Sequence, residues 1–97
     1  MNENGQQFTN EFEKNALKDR HVLIIGGAGY VGSVLTKRLL AKGYKVKVLD
    51  NLLFGNGIAI SDLMEENSFS FINGDFGNNK TLESALTNIT DVVLLAA

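Results

Sequence analysis

The residues whose types and spacing carry the most chemistry are Gly26-Gly27-Ala28-Gly29-Tyr30-Val31-Gly32 and, in the next segment, Asp50. The glycine run satisfies G-x-G-x-x-G from Gly27 and G-x-x-G-x-x-G from Gly26, so its register is open. An early glycine permits a tight turn out of a strand. Gly29 lets backbone approach a pyrophosphate with no Cβ in the way, and Gly32 lets a helix pack closely on its strand. Phosphates would then meet N–H groups around Tyr30 and Val31, in a first helical turn whose orphan donors and dipole favour an anion. No Lys-Ser or Lys-Thr follows, so a triphosphate-hydrolysing loop is not indicated. Glycine turns also form for packing alone, and context decides between the two. This one follows an apolar strand, opens a helix, and is followed by Asp50 at the end of the next strand, where a carboxylate accepts ribose hydroxyls. A 2′-phosphate beside Asp50 would bring like charges together, and neither the glycine loop nor the stretch from Asn51 to Ile60 holds Arg or Lys. NAD is therefore favoured over NADP.

These residues need elements to position them. HVLII, residues 21–25, is too short for a helix, rich in β-branched residues and stopped by glycine, which reads as a strand buried on both faces. Residues 30–42 place Val31, Val34, Leu35 and Leu39 on one helical face, with Lys37, Arg38 and Lys42 toward the C-terminus and Gly43 as the stop. KVKVLD alternates into a second strand ending at Asp50, and NLLFGNG reads as a loop. Residues 58–66 suit a short helix, 68–73 a third strand, GDFGNN a loop, 80–88 a further helix, and DVVLLAA a fourth strand. Such alternation with short links is the signature of right-handed βαβ crossovers. The expected class is α/β: a Rossmann-like parallel sheet of order 3-2-1-4, with the loops after Ile25, Leu49, Ile72 and Leu95 meeting at the carboxyl edge.

Composition narrows the partners. A length of 97 residues, 44% hydrophobic and 21% charged, fits one globular domain or part of one. Nine basic against eleven acidic residues, net charge -2, leave no footprint for a phosphate backbone, so no nucleic acid is expected. With no cysteine and a single histidine, His21, disulfides, thiolate zinc sites, thiol nucleophiles and paired imidazoles are excluded. His21 reads as a boundary polar residue at the start of the first strand. Asp62, Glu65 and Glu66 read as a solvated helix face rather than a metal cluster. The N-terminus lacks a secretory pattern and no apolar run is long enough to span a bilayer, so no membrane is expected and the default is cytoplasmic. Residues 1–18 form a polar extension, in which Phe8, Phe12 and Ala16 share one helical face, and 19–97 the folded part.

GGAGYVG after the first strand, VLDNL at the second, NGD after the third and LLAA at the fourth together resemble the NAD-dependent epimerase/dehydratase family, the extended short-chain dehydrogenase/reductases. The resemblance runs from about Arg20 to Ala97. It implies a cofactor-binding turn of Gly26, Gly29, Tyr30, Val31 and Gly32 in which Tyr30 and Val31 lie against the pyrophosphate, that Asp50 and Asn51 hold the adenine ribose, and that Gly55 closes that loop. It further implies that Asp75 bonds the adenine amino group and Phe76 contacts the ring, with Leu95, Ala96 and Ala97 on the ribose and nicotinamide side. A Gly-Asp turn remains an alternative for Asp75, and a core position for Phe76. The chain departs from the family at Ile25, where Thr is usual, and at Leu94, where His is frequent.

The family's catalytic Tyr-x-x-x-Lys lies downstream of the fourth strand, and neither Tyr30 nor Tyr44 begins such a motif here. The implied protein is a longer chain, homodimeric in full-length form, in which NAD removes and returns a hydride on a nucleotide sugar. An extended reductase of another substrate class and a non-catalytic dinucleotide-binding module are the alternatives. The uncovered apolar strand at residues 92–97 likewise leads us to expect a piece of a longer chain.

Overall fold

The computed structural model describes residues 19–26, 29–51 and 63–95. In chain order the elements are β1 (His21–Ile25), α1 (Tyr30–Lys42), β2 (Lys45–Asp50), β3 (Phe69–Asn73), α2 (Asn79–Leu86) and β4 (Asp91–Leu94). The strands form one parallel sheet of order β3-β2-β1-β4. The central strands β1 and β2 carry the buried apolar residues, as expected where a parallel sheet is covered on both faces, while Val92 and Leu94 of the edge strand β4 are exposed. Val22, Leu23, Ile24, Val46, Val48 and Leu49 are all buried.

Alternation along the strands divides the core in two. Val22, Ile24, Val46, Val48, Leu63 and Phe69 pack on one face with Leu35, Leu39 and Leu40 of α1 and with Phe71 and Val93. Leu23, Ile25, Leu49 and Ala85 pack on the other with Ile72, Leu82 and Ile89, beneath α2. Burying such a side chain contributes roughly 1.5–3 kcal/mol, so this double layer is the main source of cohesion.

The contact face of α1 differs from the one its periodicity suggested. Gly32, Ser33 and Thr36 are its buried residues, Leu35, Leu39 and Leu40 flank them, and Val31 and Val34 are exposed. The residues buried in its first two turns are thus small, with the leucines packing beside them. The helix ends as its composition indicated: Gly43 takes the left-handed conformation at φ 104°, its N–H donates to Leu40 O at 3.1 Å, and the Tyr44 N–H donates to Leu39 O at 3.1 Å. Of the helix expected over 58–66, residues 58–62 lie outside the described residues. Leu63 opens a turn in which the Glu66 N–H donates to Leu63 O at 3.0 Å. Among the described residues no helix is long and apolar enough to cross a membrane.

At the amino edge Arg20 grips Asp91 through two nitrogens, Nε at 3.1 Å and Nη2 at 2.6 Å, tying the start of β1 to β4. The guanidinium hydrogen bonds hold the Asp91 carboxyl below the usual carboxylate range.

Candidate functional site

Strand register assembles the carboxyl edge. Ile25 lies beside Leu49 on one side and Leu94 on the other, and Asp50 lies beside Asn73. One residue further along, the Gly26 N–H donates to Leu49 O at 2.8 Å, the Leu95 N–H to Ile25 O at 2.9 Å and the Gly74 N–H to Asp50 O at 3.1 Å. Asn73, Asp50, Gly26 and Leu95 thus stand in one row across four strands, about 14 Å long at the usual interstrand spacing. The four strand ends from which the loops leave come together along this row, as the alternating pattern required.

Gly26 leaves β1 at φ 85°, a left-handed conformation that a side chain disfavours. Gly29, at φ -77° and ψ -179°, has a backbone any residue adopts; it is the N-cap of α1 and makes no side-chain cap bond. Its carbonyl accepts the Ser33 N–H at 2.8 Å, the first bond of the helix, while Ser33 Oγ donates to Tyr30 O at 2.9 Å. The first turn of α1 holds no acidic residue. Tyr30 and Val31 are 82% and 65% exposed, leaving the helix entrance open to a ligand. Such an end, with donors aimed outward and no carboxylate of its own, suits an anion.

Asp50 is partly exposed and shares a sheet face with Val46 and Val48, the face that α1 covers. Its carboxylate therefore lies on the same side of the sheet as the open helix end. Asn51 beside it is exposed. Asp75 follows β3: its Oδ1 accepts the Gly77 N–H at 2.8 Å and its carbonyl accepts the Asn78 N–H at 3.0 Å. The local Gly-Asp turn foreseen as an alternative is therefore present, and it holds the exposed carboxylate at the edge. Phe76 is 41% exposed and so is not a core residue. Gly74 has a packing reason of its own, since a Cβ there would stand 2.8 Å from Thr81 Cγ2. Gly55, Ala96 and Ala97 lie outside the described residues.

Two residues at or beside this edge were given no role from the sequence. Asn73 shares Asp50's register and face, a placement legible only once β2 and β3 are paired. Asn78 caps α2, its Oδ1 accepting the Thr81 N–H at 3.0 Å. Its signal was an asparagine shortly before a helical run, hidden inside a segment that read as loop.

A groove of about 720 Å³ lies elsewhere, at the amino edge, lined by Asp19, His21, Lys45, Lys47, Ser84, Thr87 and Asn88. There Lys47 Nζ donates to Ala85 O at 3.2 Å and Thr87 O at 3.4 Å, a cation meeting the C-terminal carbonyls of α2. Burial first, then the charges of Lys47 and Lys45, push the His21 imidazole below its ordinary value. His21 stands at the opposite end of the strands from the glycine turn, in keeping with a boundary role.

Comparison with known proteins agrees with this arrangement. Residues 22–97 match the model of the NAD dependent epimerase/dehydratase family. UDP-arabinose 4-epimerase 1 of Arabidopsis thaliana is 40% identical over 79 residues, covering 76% of this chain and 19% of the relative. Among solved structures, the UDP-Glc/GlcNAc 4-epimerase of Campylobacter jejuni superposes with a TM-score of 0.72 at 34% identity, over 80% of this chain and 24% of the other. WbmG of Bordetella bronchiseptica, in complex with NAD, gives 0.70 at 33% identity, over 79% and 24%. The chain thus spans about a fifth to a quarter of the length of these relatives. A glycine turn opening an uncapped helix beside Asp50, on a sheet of order β3-β2-β1-β4, together with the match over 22–97, makes this chain a member of the NAD dependent epimerase/dehydratase family.

Proposed function

We propose that these residues form the NAD-binding part of a nucleotide-sugar epimerase or dehydratase. The observation that carries this reading is the end of α1: a helix entrance with no side-chain cap and no acidic residue, on the same sheet face as Asp50. That donor set fits a dinucleotide, because backbone N–H groups suit a pyrophosphate and a carboxylate suits ribose hydroxyls. Gly29, Tyr30 and Val31 would hold the pyrophosphate, Asp50 and Asn51 the adenine ribose, and Asp75 and Phe76 the adenine. Gly26 shapes the turn, and Leu95 would border the nicotinamide ribose. NAD, when bound, supplies a hydride acceptor and donor for the sugar carbon.

The chain's own residues bind and orient. No Tyr-x-x-x-Lys occurs in the sequence, so none of its tyrosines is assigned to proton transfer. The carboxylate of Asp50 disfavours a 2′-phosphate by like-charge repulsion, which selects NAD. Calorimetric titration with NAD and NADP tests the reading. NAD is expected to bind more tightly, and Asp50→Ala to lose roughly 1.5–3 kcal/mol of NAD affinity as its charge-assisted bonds disappear. Equal or tighter binding of NADP would overturn the cofactor choice, and unchanged affinity in the variant would remove Asp50 from the site.

A further inference from the structure

We infer that Asn73 is a second determinant of dinucleotide choice, acting beside Asp50 on the adenine ribose. The inference rests on the dinucleotide reading above and adds to it a residue outside the glycine turn and the second strand.

Three observations converge on Asn73. The β2–β3 register pairs it directly with Asp50, which places the two Cα atoms on adjacent strands about 4.8 Å apart. Alternation puts both on the face that α1 covers: Val46 and Val48 precede Asp50 on that face, and Phe69 and Phe71 precede Asn73. The Asn73 side chain is exposed and makes no hydrogen bond among the described residues, while the polar side chains of the next turn, Asp75 and Asn78, are engaged. Gly74 packs against Thr81, Asp75 accepts from Gly77, and Asn78 caps α2. An exposed amide held by a regular strand, without a structural bond of its own, is free to serve a ligand.

Its chemistry suits that task. A neutral amide offers a donor and an acceptor, so it can bond a ribose hydroxyl or support the Asp50 carboxylate without adding charge. The local charge facing a 2′-substituent is then set by two adjacent positions, one anionic and one neutral. A cation at the second position would offset the first and accommodate a phosphate. A second carboxylate would deepen the repulsion.

The test is titration of the full chain, unmodified and as Asn73→Arg, Asn73→Asp and Asn73→Gln, with NAD and with NADP, alongside thermal melts. Asn73→Arg is expected to shift the NAD-to-NADP affinity ratio toward NADP by roughly fivefold or more, the effect of one unit charge about 4 Å away in water. Asn73→Asp is expected to shift it toward NAD, and Asn73→Gln to leave it near that of the unmodified chain. The ratio is the decisive readout because a purely structural role would change melting temperature and both affinities together. Should Asn73→Arg fail to fold, the Asn73→Asp ratio decides alone. If the unmodified chain binds NAD and the charged variants keep its ratio, the role of Asn73 is overturned while the dinucleotide reading stands. If the unmodified chain binds neither cofactor, both fall together.

Discussion

The two helices begin at the same edge of the sheet and are finished in opposite ways. The N-terminus of α2 is closed by its own sequence: Asn78 accepts the Thr81 N–H, and the Asp75 turn in front accepts the Gly77 N–H. The N-terminus of α1 begins at Gly29, which has no side chain to offer. The contact faces differ in the same sense. The buried face of α1 is Gly32, Ser33 and Thr36, while α2 buries Ala85 with Leu82 beside it. One helix is built for stability and the other trades stability for a close approach and an open end.

Gly29 is the sharpest point at which to break that contrast. Its backbone is ordinary, so a side chain there meets no conformational penalty. Gly29→Val is expected to abolish measurable NAD binding, because the isopropyl group occupies the place of the pyrophosphate, while circular dichroism and melting temperature stay close to those of the parent. Unfolding in step with lost binding would make Gly29 a folding residue and remove the ligand from the explanation.

Gly26 should behave in the reverse manner. Held at φ 85°, it is required by the chain itself, and its N–H anchors the turn on Leu49. Gly26→Ala is expected to destabilise the fold by about 1–2 kcal/mol, the cost of a left-handed L-residue, measurable by urea denaturation. A glycine motif is therefore two requirements in one string, and sequence alone does not separate them, because both glycines look alike until their φ angles are known.

That distinction marks how far the chain could be read in advance. Strand order and the carboxyl-edge cluster were legible because HVLII, KVKVLD and FSFIN are short apolar or alternating runs punctuated by glycine, and parallel crossovers have one handedness. The face of α1 was misread because periodicity weighs hydrophobicity. The residues buried there are small ones, Gly32, Ser33 and Thr36, flanked by Leu35, Leu39 and Leu40, while Val31 and Val34 are exposed. Asn73 was invisible because its significance depends on register, a relation between strands that no single segment contains.

At the other helix, Asn78→Ala removes a cap and nothing else. The expected cost is about 1 kcal/mol of stability, with NAD affinity unchanged. A fall in affinity larger than the fall in stability would show that the entrance of α2 also serves the ligand, and the contrast between the two ends would dissolve.

The smallest effect concerns what α1 buries to come so close. Thr36 is fully buried, and its Oγ1 has no hydrogen-bond partner among the described residues. A hydroxyl taken out of water without a partner is a net loss, and valine has nearly the same shape and similar helix propensity. Thr36→Val is therefore expected to raise stability by up to about 1 kcal/mol, with unaltered NAD affinity, since the added methyl replaces the hydroxyl against the sheet rather than at the helix entrance. Chemical denaturation of the two proteins measures it as a higher midpoint at constant slope. A destabilised variant would mean that the hydroxyl has a role in the folded chain, and that the polar face of α1 is kept for cohesion as well as for proximity.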